Sequence, residues 1–537
     1  MPRGRTIAIS TAVAVLVAGG AAGGAYYVLH TRGTPQETAR RFADAWSRGD
    51  LAAMKAELAE QAPGFEAAYA ELTKNLGATA VAVALGAVTP SGDDRATAAY
   101  TATATLKNIG EWSYDGTIDL AVKDRHWKVA WTPRAAHPEL TGANHLSLRT
   151  TWPRRGAITD ANGDRIDGGD VGGSVAQLVG YLDKATAKDL KSLGSAYKTG
   201  DAIGRGGLQE TFQKALAGTP TTEIRSGDKT LKTIKGVTGR DLATSLDLRV
   251  QRAAADAVRG VEKPTSLVAV RPSSGEILAV VNNMGGFNRA LDGRYPPGST
   301  FKTVTAAALL AEGLTPSARV TCPKTVTVGG LKIRNSDHEA FGGLSFLDSY
   351  AHSCNTTFAP LAASKLGAQK LYDVASGLGF NQPLTIGVHA TKASMPKATS
   401  DAELAAESFG QARITASPLV MATVAAAVAD GTWRPPTLVP SIKQKVAPKA
   451  LPDGATEHLR SMMRAVVSKG TARAAGLPSG TAGKTGTAEF GTGEKLESHA
   501  WFMGYRGDVA FAIVVEGGGG GGKVAAPVAA AFLKALG

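Results

Sequence analysis

A chain of 537 residues, 43% hydrophobic and 20% charged, has room for about two to four globular domains, which excludes a disordered or low-complexity polypeptide. Its net charge of +13 suits an anionic membrane or polymer, but zinc-ligand spacing, RNA-recognition signatures and dense Lys/Arg blocks with interleaved aromatics are missing. The charge therefore reads as a dispersed basic surface, and nucleic acid is excluded as a partner. Two cysteines, Cys322 and Cys354, are too few for a disulfide framework or a structural zinc site. They can pair only if both face an oxidising exterior; two unpaired, buried thiols that catalysis does not need are expected.

Arg3 and Arg5 precede an uncharged run from Thr6 to Leu29 that is long enough to span a bilayer. Basic residues before such a run predict a cytoplasmic tail over 1–5, a transmembrane anchor over 6–29 and an extracytoplasmic remainder. The chain then belongs in the cell membrane as a single-pass protein. The Gly/Ala-rich stretch from Ala18 to Ala25 leaves a cleaved signal and a secreted product as the alternative.

From Pro35 to about Leu76 the pattern predicts two helices, with Phe42, Ala45 and Trp46 on one face and a break at Gly49-Asp50. From Ala78 to Trp131 the period becomes two. Tyr100, Trp112, Tyr114, Ile118, Leu120, Trp127, Val129 and Trp131 alternate with polar neighbours, and Asp115-Gly116 and Asp124-Arg125 read as turns. Helices followed by an antiparallel sheet predict a small α+β domain over 35–137. A linker with Pro133 and Pro138 follows. Thr244 to Gln251 opens a further helix.

From Ser266 onward the pattern is that of a larger module. Ser266–Val270 and Ile277–Val281 read as a buried hairpin about the turn Pro272-Ser273-Ser274-Gly275. Thr300 to Leu310 carries one charge, Lys302, and reads as a buried helix. A long Ala-rich helix begins near Ser417-Pro418. His499–Tyr505 and Val509–Val515 read as core strands, Gly517–Gly522 as a flexible loop, and Lys523–Leu536 as a closing helix.

Three segments in this module carry chemistry. Ser299-Thr300-Phe301-Lys302 follows Pro296-Pro297-Gly298. Residues three apart on a helix share a face, so Lys302 stands one turn above Ser299. A serine hydroxyl needs an adjacent base, and a buried lysine near other cations becomes one when its pKa falls. Ser353-Cys354-Asn355 offers a hydroxyl and an amide two residues apart. Lys484-Thr485-Gly486-Thr487 offers a cation and two hydroxyls around a glycine that lets a substrate backbone lie close. His352 reads as a packed residue without a role.

Together these segments resemble the Ser-x-x-Lys, Ser-x-Asn and Lys-Thr-Gly series of penicillin-recognising acyltransferases. Further resemblances extend upstream. Arg155-Gly156-Ala157-Ile158-Thr159-Asp160-Ala161-Asn162-Gly163 is similar to the signature that opens the pedestal of class B penicillin-binding proteins. Gly204 to Gln209 is similar to their Gly-x-Ser-Gly-Leu-Glu segment, with Gly206 and Gln209 replacing the usual Ser and Glu. The 35–137 region resembles the nuclear-transport-factor-like cone of the methicillin-resistance group. The resemblance implies a multidomain α+β protein: that cone, a dimerisation-type pedestal over 145–243, and a transpeptidase domain over 244–537. The last would be a β-lactamase-like fold, an antiparallel sheet flanked by helices.

The implied activity is a peptidoglycan D,D-transpeptidase that β-lactams acylate. Ser299 would be the nucleophile, Lys302 its base and Ser353 a proton relay. Asn355 would hold a substrate amide. Lys484, Thr485, Gly486 and Thr487 would bind the terminal carboxylate, and the backbone N–H groups of Ser299 and Thr487 would form the oxyanion hole. No metal or cofactor is implied. The implied partners are stem peptides, β-lactams, the membrane and cell-wall synthesis proteins, including a separate glycosyltransferase. Alternatives are a D,D-carboxypeptidase, a β-lactamase and a non-enzymatic wall scaffold or β-lactam sensor. For a β-lactamase, Glu403 and Glu407 are the candidate acids, and neither lies in a Glu-x-x-x-Asn loop.

Overall fold

The computed structural model describes residues 32–168, 172–194, 196–491 and 496–537. The expected membrane anchor at 6–29 lies outside the described residues. Among the described residues no helix is long and apolar enough to cross a membrane. The chain divides into two compact units, Met1–Arg154 with Ala187–Lys198 and Gly218–Thr238, and Arg155–Thr186 with Thr199–Ala217 and Gly239–Gly537.

In the first unit, helix α1 (Pro35–Ser47) starts at a capping box. Thr34 Oγ1 accepts from the Glu37 N–H while Glu37 accepts from the Thr34 N–H. Its apolar stripe buries Phe42, Ala45 and Trp46. The stripe packs on an antiparallel sheet of β1 (Ala78–Pro90), β2 (Arg95–Leu106), β3 (Gly110–Lys123) and β4 (His126–Val129), paired in chain order. Trp46 stands edge-on to Tyr69 and Tyr100, with ring centroids 5.0 and 5.2 Å apart. The second expected helix is interrupted, because Pro63 and the left-handed Gly64 separate Leu51–Ala56 from Phe65–Ala70. Asp124-Arg125 is a turn, but Asp115-Gly116 lies inside β3. Gly116 faces Tyr100 across the ladder, where a Cβ would stand 2.3 Å from the Tyr100 hydroxyl. Close approach, and not a turn, explains that glycine.

The expected pedestal is divided between the units; the second unit contains its Arg155–Gly163 and Gly204–Gln209 segments and the large module. Arg155 donates to the Gln209 side-chain oxygen from Nε at 3.0 Å and from Nη2 at 2.6 Å. Gln209 therefore still serves as an acceptor where the resemblance has Glu. Helix α2 (Leu248–Arg259) is capped by Asp247. The central sheet contains β5 (Thr265–Val270) and β6 (Ile277–Asn282). Helix α3 (Lys302–Ala311) follows a 3-10 turn at Gly298–Phe301. Then come strand β7 (Leu331–Arg334), helix α4 (Asn355–Leu361) and helix α5 (Pro418–Asp430). Strands β8 (Ala482–Phe490), β9 (Glu497–Arg506) and β10 (Val509–Val515) precede helix α6 (Ala525–Leu536).

The sheet order is β6-β5-β10-β9-β8, antiparallel throughout. All six residues of β5 are buried, so both faces of the sheet are covered. Helix α5 contacts β10, β5 and β9, while α2 and α6 pack on each other and on the sheet. Strand β8, which carries Lys484 to Thr487, is left at the edge.

Gly517–Gly522 differs from the expected flexible loop. A Cβ on Gly521 would stand 2.3 Å from both the Gly486 and Trp501 carbonyls. This segment is a close-packed strap against β8 and β9, and its glycines permit backbone-to-backbone contact.

The two cysteines also differ from expectation. Cys322 and Cys354 form a disulfide, with Cα atoms 5.9 Å apart. Spacing alone did not reveal it, because the hairpin containing Cys322 folds back on the start of α4. Asn335 ties the same place together: its Nδ2 donates to the Pro323 and Glu339 carbonyls, and its Oδ1 accepts from the Thr356 N–H. A crosslink between positions 32 residues apart contributes about 3–4 kcal/mol by restricting the unfolded chain. The double Cys322→Ser, Cys354→Ser protein should lose stability by that amount in denaturant titration. An unchanged midpoint would mean that the pair adds nothing.

Candidate active site

The Pro-Pro-Gly segment fixes where α3 begins. Trp501 Nε1 donates to the Pro296 carbonyl at 3.1 Å, and Thr300 Oγ1 donates to the Pro297 carbonyl at 2.6 Å. Ser299 thus sits in the 3-10 turn, 8% exposed, and Lys302 below it is fully buried. A Cβ on Gly486 would come within about 3 Å of Trp501, Thr300 and Pro297. The glycine in β8 is therefore required by the turn bearing Ser299, beyond any substrate.

Lys302 Nζ lies 3.0 Å from Ser299 Oγ, 2.5 Å from the Ser353 carbonyl and 2.6 Å from Asn355 Oδ1. Lys484 Nζ, also fully buried, donates to Ser353 Oγ at 2.8 Å and to the Thr485 carbonyl at 2.9 Å. Ser353 has φ 63°, a left-handed conformation that costs a serine on the order of 1 kcal/mol. The adjacent disulfide and the Ser353 N–H on the Tyr350 carbonyl, at 3.0 Å, hold it there.

Two cations this close and dry cannot both keep their protons. Burial, then the nearby Lys484 charge, push the Lys302 pKa well below its ordinary value. Burial lowers Lys484 to about 7. A neutral Lys302 amine has two N–H donors and one lone pair. The donors match the Ser353 carbonyl and Asn355 Oδ1, and the lone pair is left for the Ser299 hydroxyl proton. An aromatic face lies beside each amine. Lys302 lies 5.6 Å from the Phe358 ring and Lys484 5.6 Å from the Tyr350 ring.

Sequence reasoning named the polar residues and missed these rings, because a Phe or Tyr in a helix reads only as core. All eight predicted site residues belong to β8, the Ser299 turn, α3, the turn before α4 and the start of α4. Thr485 Oγ1 is 2.5 Å from Thr471 Oγ1. If Thr471 donates, the Thr485 hydroxyl keeps its own proton for an incoming carboxylate. His352 stacks beside Phe341 at 4.3 Å, in line with a packing role.

Neither glutamate considered for water activation hydrogen-bonds to Ser299, Lys302 or Ser353. Glu403 is held by Arg413 and Thr399, which lower its pKa to about 2. Glu407 is buried with no hydrogen-bond partner on either carboxyl oxygen, and burial raises it to about 7. Among the described residues no cluster of His, Cys, Asp or Glu could hold a metal ion.

A groove of about 300 Å³ opens over Ser299, lined also by Asn355, Thr487, Arg334, Glu489 and Phe490. The family described as the penicillin binding protein transpeptidase domain matches residues 265–534, which contain this entire site. The chain belongs to that family. An NTF2-like N-terminal transpeptidase domain matches residues 34–144, and a penicillin-binding protein dimerisation domain matches 171–244.

The chain is similar to the peptidoglycan D,D-transpeptidase PbpA of Mycobacterium tuberculosis, 30% identical over 342 residues, 52% of this chain and 69% of that protein. The PbpA of Mycolicibacterium smegmatis is 32% identical over 344 residues, with the same shares. A solved structure of Pseudomonas aeruginosa PBP2 in complex with WCK 5153 matches with a TM-score of 0.62 and 27% identity, covering 72% of this chain and 96% of that one. The catalytic module, the dimerisation domain and the NTF2-like domain make this a class B penicillin-binding protein, as the motifs implied.

Proposed function

We propose that this penicillin-binding protein is a peptidoglycan D,D-transpeptidase acting through an acyl-enzyme on Ser299. The observation that carries this reading is the buried relay in which Ser353 Oγ bridges Lys484 at 2.8 Å and Lys302 at 3.4 Å, with Lys302 on Ser299. Relatives named peptidoglycan D,D-transpeptidase support it.

The Lys302 lone pair accepts the Ser299 proton as Oγ attacks the carbonyl of the penultimate D-Ala. The N–H groups of Ser299 and Thr487 stabilise the oxyanion, a donor of this kind contributing about 3–4 kcal/mol. The proton then passes through Ser353 Oγ to the leaving D-Ala nitrogen as the C–N bond breaks. In the second half, an acceptor amine attacks the ester carbonyl, its proton returns through the same relay, and Ser299 is released. Asn355 holds a substrate amide, and Lys484, Thr485 and Thr487 hold the terminal carboxylate.

Edge strand β8 suits a substrate backbone laid alongside it. Water in place of the amine would make the same site a D,D-carboxypeptidase, so the acceptor decides between the two.

The uncharged run behind Arg3 and Arg5 favours a single-pass anchor with the catalytic module outside the cytoplasm. The Cys322–Cys354 disulfide suits the same oxidising side. A separate glycosyltransferase and other wall-synthesis proteins are the expected partners there. A reporter that works only outside the cytoplasm, fused after Gly537, should be active; activity of a cytoplasm-dependent reporter alone would overturn the topology.

The acyl-enzyme is tested by intact mass and peptide mapping after exposure to a fluorescent penicillin. One adduct on the peptide containing Ser299 is expected, and an adduct elsewhere would overturn the assignment. Turnover of a synthetic stem peptide with and without an acceptor amine separates cross-linking from hydrolysis.

A further inference from the structure

The relay accounts for the oxygen partners of Lys484 but not for what keeps its charge. Its side chain is fully buried, and Nζ donates to Ser353 Oγ and the Thr485 carbonyl. Among the described residues it has no carboxylate partner, and burial pushes its pKa down. A ligand carboxylate is nevertheless bound best by a charged ammonium. A carboxylate side chain would hold that charge, but it would take the third N–H and compete with the ligand. An aromatic face avoids the competition, because its negative potential attracts the cation as a whole.

The face in place is that of Tyr350. Its ring centroid lies 5.6 Å from Lys484 Nζ, inside the range of such contacts. Tyr350 is fully buried, so water does not screen the attraction. The ring is also held in place. Its hydroxyl shares a hydrogen bond with Thr303 Oγ1 at 2.8 Å, tying it to the residue after Lys302. The Tyr350 carbonyl accepts from the Ser353 N–H at 3.0 Å. The short helix that carries it, Phe346–Ala351, is capped by Ser345, whose Oγ accepts from the Asp348 N–H at 3.0 Å.

The titratable groups around Lys484 are Lys302 from α3, Tyr350 itself and, acting on Tyr350, Tyr505 of β9. Burial pushes both phenols up, so both stay neutral, and Lys302 disfavours a second charge beside it. Of these groups only the Tyr350 face favours the Lys484 cation.

We propose that Tyr350 is a positioning residue of the carboxylate site: its ring face keeps the Lys484 ammonium charged while leaving an N–H for the ligand. This deepens the acyl-enzyme reading and rests on it. The ring favours the charged form, so weakening its negative potential lowers the pH at which Lys484 loses its proton. Carboxylate recognition is then lost at that lower pH. A contact of this kind corresponds to a shift of about half to one and a half pH units.

Fluorination tests this with little change in shape, because each fluorine withdraws electron density from the ring face. Tyr350→Phe is the parent. Variants with 4-fluoro-, 3,5-difluoro- and 3,4,5-trifluorophenylalanine at position 350 complete the series, each in the full chain in detergent. Second-order acylation rates are measured across pH 5–9 with a penicillin and with its methyl ester. The acid-to-ester ratio cancels changes at Ser299 and Lys302 and reports carboxylate recognition. Its midpoint on the pH axis is compared between proteins. The fraction of each protein that saturating penicillin acylates reports folding, and any two members of the series that acylate fully suffice.

In the native chain the ratio should fall as pH rises through neutrality. Tyr350→Phe retains the face and should keep the midpoint. Added fluorines should then move the midpoint down in order of their number, by about half a pH unit or more in total. A packing role alone would change rates without ordering the midpoints by fluorine count. Midpoints that ignore fluorine overturn the proposal and leave Ser299 acylation standing. So does a native ratio that does not change with pH. Failure of the native chain to acylate overturns the acyl-enzyme reading and this inference with it.

Discussion

Lys302→Met should slow penicillin acylation by about a hundred- to ten-thousandfold, the range for removing a general base. The substitution leaves Ser299 in its 3-10 turn and removes the lone pair 3.0 Å from its hydroxyl. Burial and Lys484 lower the Lys302 pKa, which favours the neutral, basic amine. The native rate should therefore rise with pH through that lowered value as Lys302 loses its proton.

The opposite limb comes from Lys484. Its pKa of about 7 means that the cation needed for a carboxylate is lost as pH rises through neutrality. The rate constant for free enzyme and ligand should be bell-shaped, falling near pH 7. Stopped-flow acylation across pH 5–9 checks this. A Lys302→Met protein that acylates within a few-fold of native would remove the base from Lys302.

Lys484→Ala should slow a carboxylate-bearing penicillin far more than its methyl ester. Lys484 donates to Ser353 Oγ and the Thr485 carbonyl, and the charged ammonium has a third N–H left for a ligand carboxylate. A charge-assisted hydrogen bond contributes about 1.5–3 kcal/mol, or roughly tenfold to a few hundredfold in rate. Acid and ester share any loss that comes from an unanchored Ser353, so their difference isolates the carboxylate. The falling limb near pH 7 should disappear in the same variant. Thr487→Ala should lose less, because its backbone N–H survives. Equal losses for acid and ester would leave Lys484 only a proton-transfer or structural role.

The proposed nucleophile and its neighbouring lysines were legible in the sequence because residue type at short spacing codes them. Ser299 and Lys302 are one helical turn apart, and Lys484 to Thr487 are consecutive. The sheet strands were legible for a related reason. The short apolar run Leu267–Val270, closed by the turn at Pro272–Gly275, read as a buried strand, and Thr265–Val270 is buried at every position. The helix over Pro418–Asp430 was marked by its own Ser417 cap and proline.

Contacts between distant segments were not coded in this way. The Cys322–Cys354 bridge depends on a hairpin returning to the start of α4. The same return, together with β8, brings Arg334 to Glu489 across 155 residues. Gly116, Gly486 and Gly521 carry no side chain to announce which neighbour approaches them, so a close contact and a turn look alike along the chain. The depressed lysine pKa values belong to the same class. Residue type supplied two amines, but only packing removed the water around them and set both on Ser353. Local sequence thus determined which groups the candidate site holds. Tertiary structure decided their protonation, their partners and the charged pair beside them, because burial and proximity are properties of the folded chain and not of any one segment.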